Sequence, residues 1–212
     1  MSPRFSIALL GGFSARRDGN LFELPPGCQR VVALLALARR PVDREWVCER
    51  LWQGVPRGCA TARLRSTLWR LRCYGAEHVL VTDPRTLAIA PGVCVDWWRA
   101  GDLSAQVFSD WAWTAPPDPV LVAELVPLLQ AGELLDGWSD GWAVRDRSRY
   151  QVVRSLALDW LARWSPDLAN HNDASELVGC ADTVREAAPK MSPAVSYSAQ
   201  SAVKPTPSMC PV

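Results

Sequence analysis

The hydrophobic periodicity of this chain changes twice within its first 90 residues, and this restricts the folds available to it. From Phe5 to Leu9, apolar side chains alternate with small or polar ones at the period of two that is typical of a β-strand. Asp18 and Gly19 form a hairpin turn signal, because these residue types tolerate the positive φ angles of such turns. We therefore predict a small antiparallel sheet across residues 4–24.

Helical periodicity then replaces the alternation and predicts three consecutive helices. The first spans about residues 28–39 and ends before Pro41, since proline cannot continue a helix. The second follows Asp43, a residue type that favours the N-cap position. The third runs from about residue 60 to residue 74 and ends at Gly75.

Two short strand patterns, residues 79–81 and 87–89, follow the third helix. Between them, Asp83 and Pro84 suit the first and second positions of a type I turn, so a second hairpin is predicted. A sheet, three helices and a hairpin in this order indicate an α+β winged helix-turn-helix domain over residues 1–96. In such a domain the third helix enters the major groove of DNA.

The chain changes character after Trp97, where helical patterns predominate. We expect an all-α domain over residues 97–188. From Pro189 onward the composition turns to Pro, Ser, Ala and Val without periodicity, which predicts a disordered tail over residues 189–212. The helices of the second domain are predicted at residues 102–113, 119–130 (with Pro127 as a kink), 145–164 and 173–187.

The charged residues divide the chain into a basic and an acidic part. Residues 1–90 hold 14 Arg, no Lys and 7 acidic residues, a net charge of +7. Residues 91–212 hold 9 basic and 15 acidic residues, a net charge of −6. This asymmetry suggests two tasks, one of them at a polyanion.

The third helix concentrates the basic residues on one side. At 100° per residue, Leu64, Leu68 and Leu71 fall within about 60° of arc and form a core face. No Asp or Glu occurs between Val55 and Ala76, so ion pairs within the helix do not explain its arginines. This favours DNA binding over the alternative, a surface helix whose arginines are merely solvated. The opposite face carries Ser66 and Trp69, flanked by Arg63 and Arg70 on one side and by Arg65 and Arg72 on the other.

Two further arginines are candidates for the same interface. The sequence leaves two interpretations of Arg85, at the tip of the predicted hairpin, open. It either contacts a minor groove or a phosphate, or it is an ordinary exposed turn residue. Arg57, just before the predicted third helix, is a candidate for contact with a phosphate at the helix N-terminus.

Six segments of the chain form a set of motifs: CQRVVALLAL (residues 28–37), PVDRE (41–45), Leu51-Trp52, ARLRSTLWRLR (62–72), GELLDGWSDGW (132–142) and RDR (145–147). Together they resemble the actinobacterial antibiotic regulatory proteins known as SARPs, over about residues 4–165, and the segment 62–72 is similar to the recognition helix of that family. The most specific motif is the glycine- and tryptophan-rich run followed by Arg-Asp-Arg, which resembles the opening of their bacterial transcriptional activation domain.

The resemblance implies a winged helix of the OmpR/PhoB type joined to a tetratricopeptide-like helical domain. It also implies a transcriptional activator of biosynthetic genes that recruits RNA polymerase to direct repeats of double-stranded DNA, with protomers paired on the repeats. The activation domain of the family continues through further helix pairs, whereas this sequence does not continue the pattern after Pro189. We therefore expect a shortened activation domain.

Other functional classes find little support in the sequence. No nucleophile-plus-base pair, phosphate loop or dinucleotide motif is present, so no enzymatic activity and no cofactor are expected. The seven cysteines form no C-x-x-C pair, and His78 and His171 lie near no second ligand, so no metal site is predicted. No secretory signal and no apolar run of membrane-spanning length occur, so we expect a cytoplasmic protein with reduced thiols and no membrane contact.

The first hypothesis is therefore a sequence-specific DNA-binding transcriptional regulator. The alternatives are a protein-interaction adaptor whose winged helix binds protein, and a decayed regulator that no longer activates. Salt dependence separates DNA binding from protein binding, because displaced counterions make DNA affinity fall steeply with ionic strength.

Overall fold

The computed structural model describes residues 4–109 and 118–164, which form seven short strands and six α-helices. The strands are β1 (Phe5–Ala8), β2 (Ser14–Arg17), β3 (Asn20–Leu21), β4 (Val42–Asp43), β5 (Leu80–Thr82), β6 (Thr86–Ile89) and β7 (Cys94–Val95). The α-helices are α1 (Pro26–Ala38), α2 (Arg44–Leu51), α3 (Arg57–Cys73), α4 (Asp96–Ser109), α5 (Pro119–Gln130) and α6 (Gly141–Ala162), and a 3-10 helix covers Glu77–Val79.

The N-terminal sheet has the strand order β3-β2-β1-β7. Its antiparallel hairpins confirm the sheet predicted over residues 4–24, and the turn between β2 and β3 has φ angles of 49° at Asp18 and 84° at Gly19. Strand β7 joins the other edge of β1 in parallel, with Ile7 opposite Val95. The sequence pattern did not predict this pairing, because the two strands lie far apart in the chain.

Helix α1 lies at the centre of the core. Every residue from Val31 to Ala36 is buried, so the helix is enclosed on all sides. Helices α2, α3 and α6 and strand β6 all contact it. Each neighbour contributes buried apolar residues to the core around α1, whereas Ala157, Trp160 and Leu161 of α6 belong to a second cluster with α4 and α5.

The second sheet connects the hairpin to the helices. Strands β5 and β6 form the predicted hairpin, and β4, which immediately precedes α2, pairs with β6 to give the order β4-β6-β5. Val42 lies opposite Leu87 in this pairing, and both side chains are buried. The predicted order of sheet, three helices and hairpin is confirmed, and a helical region follows it.

The segment after β1 packs directly against the loop between α5 and α6. The Leu135 amide donates to the Leu9 carbonyl at 2.7 Å, and the Gly11 amide donates to the Glu133 carbonyl at 2.8 Å. Gly11 has a φ of 73°, and a Cβ at this position would lie 2.2 Å from the Ala131 carbonyl oxygen. Glycine is therefore required at residue 11 both for the backbone conformation and for the close approach of the two loops.

The Asp96 carboxyl group joins β1 to the start of α4. It accepts hydrogen bonds from the amides of Leu9 at 2.8 Å, Leu10 at 3.1 Å and Trp97 at 2.6 Å. Burial raises the pKa of Asp96 above its ordinary value, although these amides oppose the shift by stabilising the charged form. Three backbone donors that would otherwise lack a partner are thus satisfied by one side chain.

Three predicted helix boundaries are wrong. Helix α4 begins at Asp96 instead of near residue 102, because the Asp96 side chain binds the Trp97 amide of the first turn. Helix α3 begins at Arg57 instead of near residue 60, and the Ala60 amide already donates to the Pro56 carbonyl at 3.0 Å. Helix α6 begins at Gly141 instead of residue 145.

The other predictions concern helix α5, the N-cap of α2 and segments that the structure does not describe. Helix α5 agrees with the predicted 119–130 and contains Pro127. Asp43 occupies the N-cap position of α2, but its side chain makes no capping hydrogen bond. The end of the predicted helix at 102–113, the helix predicted at 173–187 and the tail predicted at 189–212 lie outside the described residues. The division into domains at residues 96 and 97 stays a prediction.

We expect the substitution Asp96→Ala to lower the free energy of unfolding by about 2–4 kcal/mol, because it leaves several buried or partly buried amides without an acceptor. Chemical denaturation of the full chain measures this change.

Asp102→Ala is the matched control. Asp102 also binds a partner through both oxygens, the Arg39 guanidinium at 2.7 Å, but both side chains are about half exposed. Solvent screening should keep this loss below about 1 kcal/mol. Equal losses for the two variants would contradict the role given to Asp96.

Candidate nucleic-acid interface

Helix α3 has one buried face and one exposed face, as the helical periodicity predicts. Ala60, Leu64, Thr67 and Leu71 are buried, and Leu68 is half-buried. All six candidate side chains on the opposite face are exposed: Arg63, Arg65, Ser66, Trp69, Arg70 and Arg72.

A groove of about 310 Å³ lies between α3 and β5. Arg65, Trp69 and Arg72 line its helix side, so the structure brings these three candidates together. Thr82 belongs to the strand side, and Glu77 is the one carboxylate among the lining residues. With Arg44, which also lines it, the groove presents three guanidinium groups and an indole ring beside the hairpin.

A second groove, of about 790 Å³, separates α2 and α3 from the hairpin tip. Arg57, Arg65 and Arg85 line it, which places the candidate at the hairpin tip within the same concave surface as α3. Glu45 and Glu49 of α2 also line it, so this groove is less positive than its arginines alone would make it. Arg65 is the candidate residue shared by both grooves.

The other flank of α3 faces away from the hairpin. Arg63, Ser66 and Arg70 line neither groove. Arg70 lies close enough to Cys28 of α1 for its charge to oppose the rise that burial causes in the pKa of that thiol. The exposed face of α3 therefore has two sides, one toward the hairpin and one toward the start of α1.

Arg57 differs from its predicted setting in two ways. It is the first residue of α3 and does not precede the helix. Its guanidinium forms an ion pair with Glu45 of α2, and both side chains are largely exposed. A phosphate at this position would have to compete with the Glu45 carboxylate for Arg57.

Arg44 is a residue of the site that sequence reasoning missed. Its Nε–H donates to the Asp83 carbonyl at 3.0 Å, and its amide donates to the Arg85 carbonyl at 2.9 Å. The turn itself is closed by the Asp83 amide, which donates to the Thr86 carbonyl at 3.0 Å. Arg44 thus holds the hairpin tip, and with it Arg85, against the start of α2.

Arg17 extends the basic surface beyond the end of α3. Its guanidinium carbon lies 5.9 Å from the centre of the Phe5 ring, and its Nη1 approaches Gly75, the residue that follows the α3 C-cap. The sequence places Arg17 only in the N-terminal hairpin, so no local signal connects it with α3.

Asp140, in the tryptophan-rich motif, has a structural partner in α1. Asp140 occupies the N-cap position of α6 and forms an ion pair with Arg30 of α1. Arg30 also donates to the Leu51 carbonyl at the end of α2. Within residues 4–109 and 118–164, no three His, Cys, Asp or Glu side chains come together as metal ligands, and none of the helices could cross a membrane.

Comparisons with known proteins give little that bears on family. Neither the family models nor the curated proteins include a match to this chain. A solved structure of Mycobacterium tuberculosis EmbR, in complex with a low-affinity phosphopeptide, is similar at 22% sequence identity with a TM-score of 0.48. The similarity covers 76% of this chain and 43% of EmbR, so this chain spans less than half of that protein. Values this low do not establish a shared family or function.

Proposed function

We propose that this protein is a sequence-specific DNA-binding transcriptional regulator. The observation that carries the proposal is the exposed face of α3, on which four arginines surround Ser66 and Trp69 while the helix contains no carboxylate. An arginine side chain donates two hydrogen bonds at once to the O6 and N7 atoms of guanine, or binds a phosphate group. A face built from arginines therefore suits the major groove of DNA. The OmpR/PhoB-type winged helix over residues 1–96 is part of this proposal.

The hairpin is proposed to act as the wing of this domain. Arg85 at its tip shares a groove with Arg57 and Arg65, so one duplex is able to contact α3 and the tip together. Arg44 holds the tip through hydrogen bonds to two carbonyl groups of the turn. We assign Arg85 to the phosphate backbone or an adjacent minor groove, and Arg44 to the positioning of Arg85.

Residues 97–188 are proposed as a shortened, tetratricopeptide-like activation domain. Support comes from the resemblance of residues 132–147 to the activation domain of SARPs and from the acidic charge of this part of the chain, which suits contacts with protein better than contacts with phosphate. Recruitment of RNA polymerase, binding to direct repeats as a dimer, activation of biosynthetic genes and a cytoplasmic location belong to the same proposal. No catalytic step and no cofactor form part of it.

A protein-binding adaptor is the second candidate function. Exposed Trp and Arg side chains dominate the energetics of many protein interfaces, and Trp69 is 64% exposed beside Arg65 and Arg72. DNA binding predicts that the logarithm of affinity falls with the logarithm of salt concentration with a slope of about −0.9 for each phosphate contacted. A shallow slope together with tight binding to a protein would favour the adaptor.

We expect Arg65→Ala and Arg70→Ala each to weaken specific binding by roughly 1–3 kcal/mol, because each removes a guanidinium from the exposed face of α3. The measurement is a titration at fixed salt of the full chain against a duplex selected from a random library.

Arg145→Ala, an exposed residue of α6, is the matched control and should leave affinity unchanged. If both α3 variants bind as tightly as the unsubstituted protein, these arginines do not belong to the interface.

Glu45→Gln should strengthen DNA binding about two- to fivefold, since it removes a carboxylate from the groove and releases Arg57 for phosphate. The gain should diminish in the presence of Arg57→Ala. Glu124→Gln disrupts a similar exposed pair with Arg99 between α4 and α5 and should have no effect. A weaker complex after Glu45→Gln would show that the Arg57–Glu45 pair itself is needed for binding.

Arg44→Ala should weaken DNA binding by about 1 kcal/mol through the loss of the hydrogen bond that holds the hairpin tip. Most of this loss should disappear in an Arg85→Ala background, because the tip then carries no guanidinium to position. Additive losses from the two substitutions, measured in a double-mutant cycle, would indicate that Arg44 contacts DNA directly.

A further inference from the structure

Trp69 is a large apolar side chain on the face that is otherwise built from arginines and a serine. Its exposed fraction, 64%, is higher than that of Tyr74 at the end of the same helix, which is 51% exposed. A single exposed apolar residue is common on protein surfaces and is not by itself a site. The position of Trp69 between two arginines that line the same groove is what gives it a specific setting.

Arg65, Trp69 and Arg72 form one row along α3. Their spacings of four and three residues place neighbours on successive turns of the helix. The row is about 10 Å long at 1.5 Å per residue, which corresponds to about three base-pair steps of 3.4 Å. An indole at the centre of the row therefore faces a different base pair from those that the two guanidinium groups reach.

The chemistry of the three side chains differs in a way that the major groove distinguishes. A guanidinium group pairs with the acceptors of guanine or with phosphate. The indole offers one N–H donor and a broad apolar surface. The apolar group that base edges present in the major groove is the C5-methyl group of thymine.

From these observations, and resting on the proposed function, we infer that Trp69 is a specificity-determining residue that packs against a thymine methyl group. The recognised sequence then contains a required T·A pair between the base pairs or phosphates contacted by Arg65 and Arg72. Burial of the methyl group against the indole contributes affinity at this pair, and cytosine at the same position offers no such group.

The test uses the full chain and a duplex selected from a random library. Each dT of the selected site is replaced in turn by deoxyuridine, which removes the methyl group and leaves the base pair intact. We expect a three- to fivefold loss of affinity at one position, because this ratio corresponds to the free energy gained by burying one methyl or methylene group. Trp69→Ala should bind the dT and deoxyuridine forms of that position equally.

Two variants serve as controls. Tyr74→Ala removes the neighbouring exposed aromatic side chain, which does not line the groove, and should retain the full preference for dT. Trp69→Leu keeps an apolar surface and should retain part of the preference. Circular dichroism of each variant checks that α3 is still folded.

The outcomes separate this inference from the function on which it rests. Specific binding that is indifferent to every deoxyuridine, or a preference for dT that survives Trp69→Ala, overturns the role of Trp69 while leaving DNA binding intact. If the unsubstituted protein selects no duplex at all, the proposed function fails and this inference fails with it.

Discussion

The complete burial of α1 is the constraint on which the rest of the structure depends. A helix whose residues 31–36 are all buried must be covered on every side, and α2, α3, α6 and β6 provide the cover. Each of these elements contributes buried apolar residues to the core around α1. For α3 this uses Leu64 and Leu71, and the arginine-rich face is consequently left on the surface.

The interface proposed for DNA is assembled from elements that local sequence does not connect. Arg44 at the start of α2 holds the hairpin tip, which carries Arg85 into the groove beside α3. Arg57 meets Glu45 across the same groove. The carboxylates that line this groove therefore moderate a surface whose arginine content, taken alone, suggests a stronger positive charge.

The helical region is joined to the N-terminal sheet by backbone contacts and by one carboxyl group. The Leu9 carbonyl accepts from Leu135, the glycine at residue 11 allows the two loops to approach, and Asp96 accepts from the amides that follow β1. Arg30 adds a side-chain connection from α1 to both the end of α2 and Asp140. Packing is thus continuous from the sheet to α6 across residue 96, where the sequence predicts a domain boundary.

The sequence by itself determined the elements whose signals are local. Alternation, the Asp-Gly and Asp-Pro turns and the helical stripes predicted both hairpins and α1, α2, α3 and α5 with small errors at their ends, and helical spacing predicted which face of α3 is exposed. Only the tertiary structure decided the parallel pairing of β1 with β7, the pairing of β4 with β6, the capture of Arg57 by Glu45 and the role of Arg44. The physical reason is that periodicity and turn chemistry act over a few residues. These contacts join residues distant in the chain, so they depend on how the elements pack around α1.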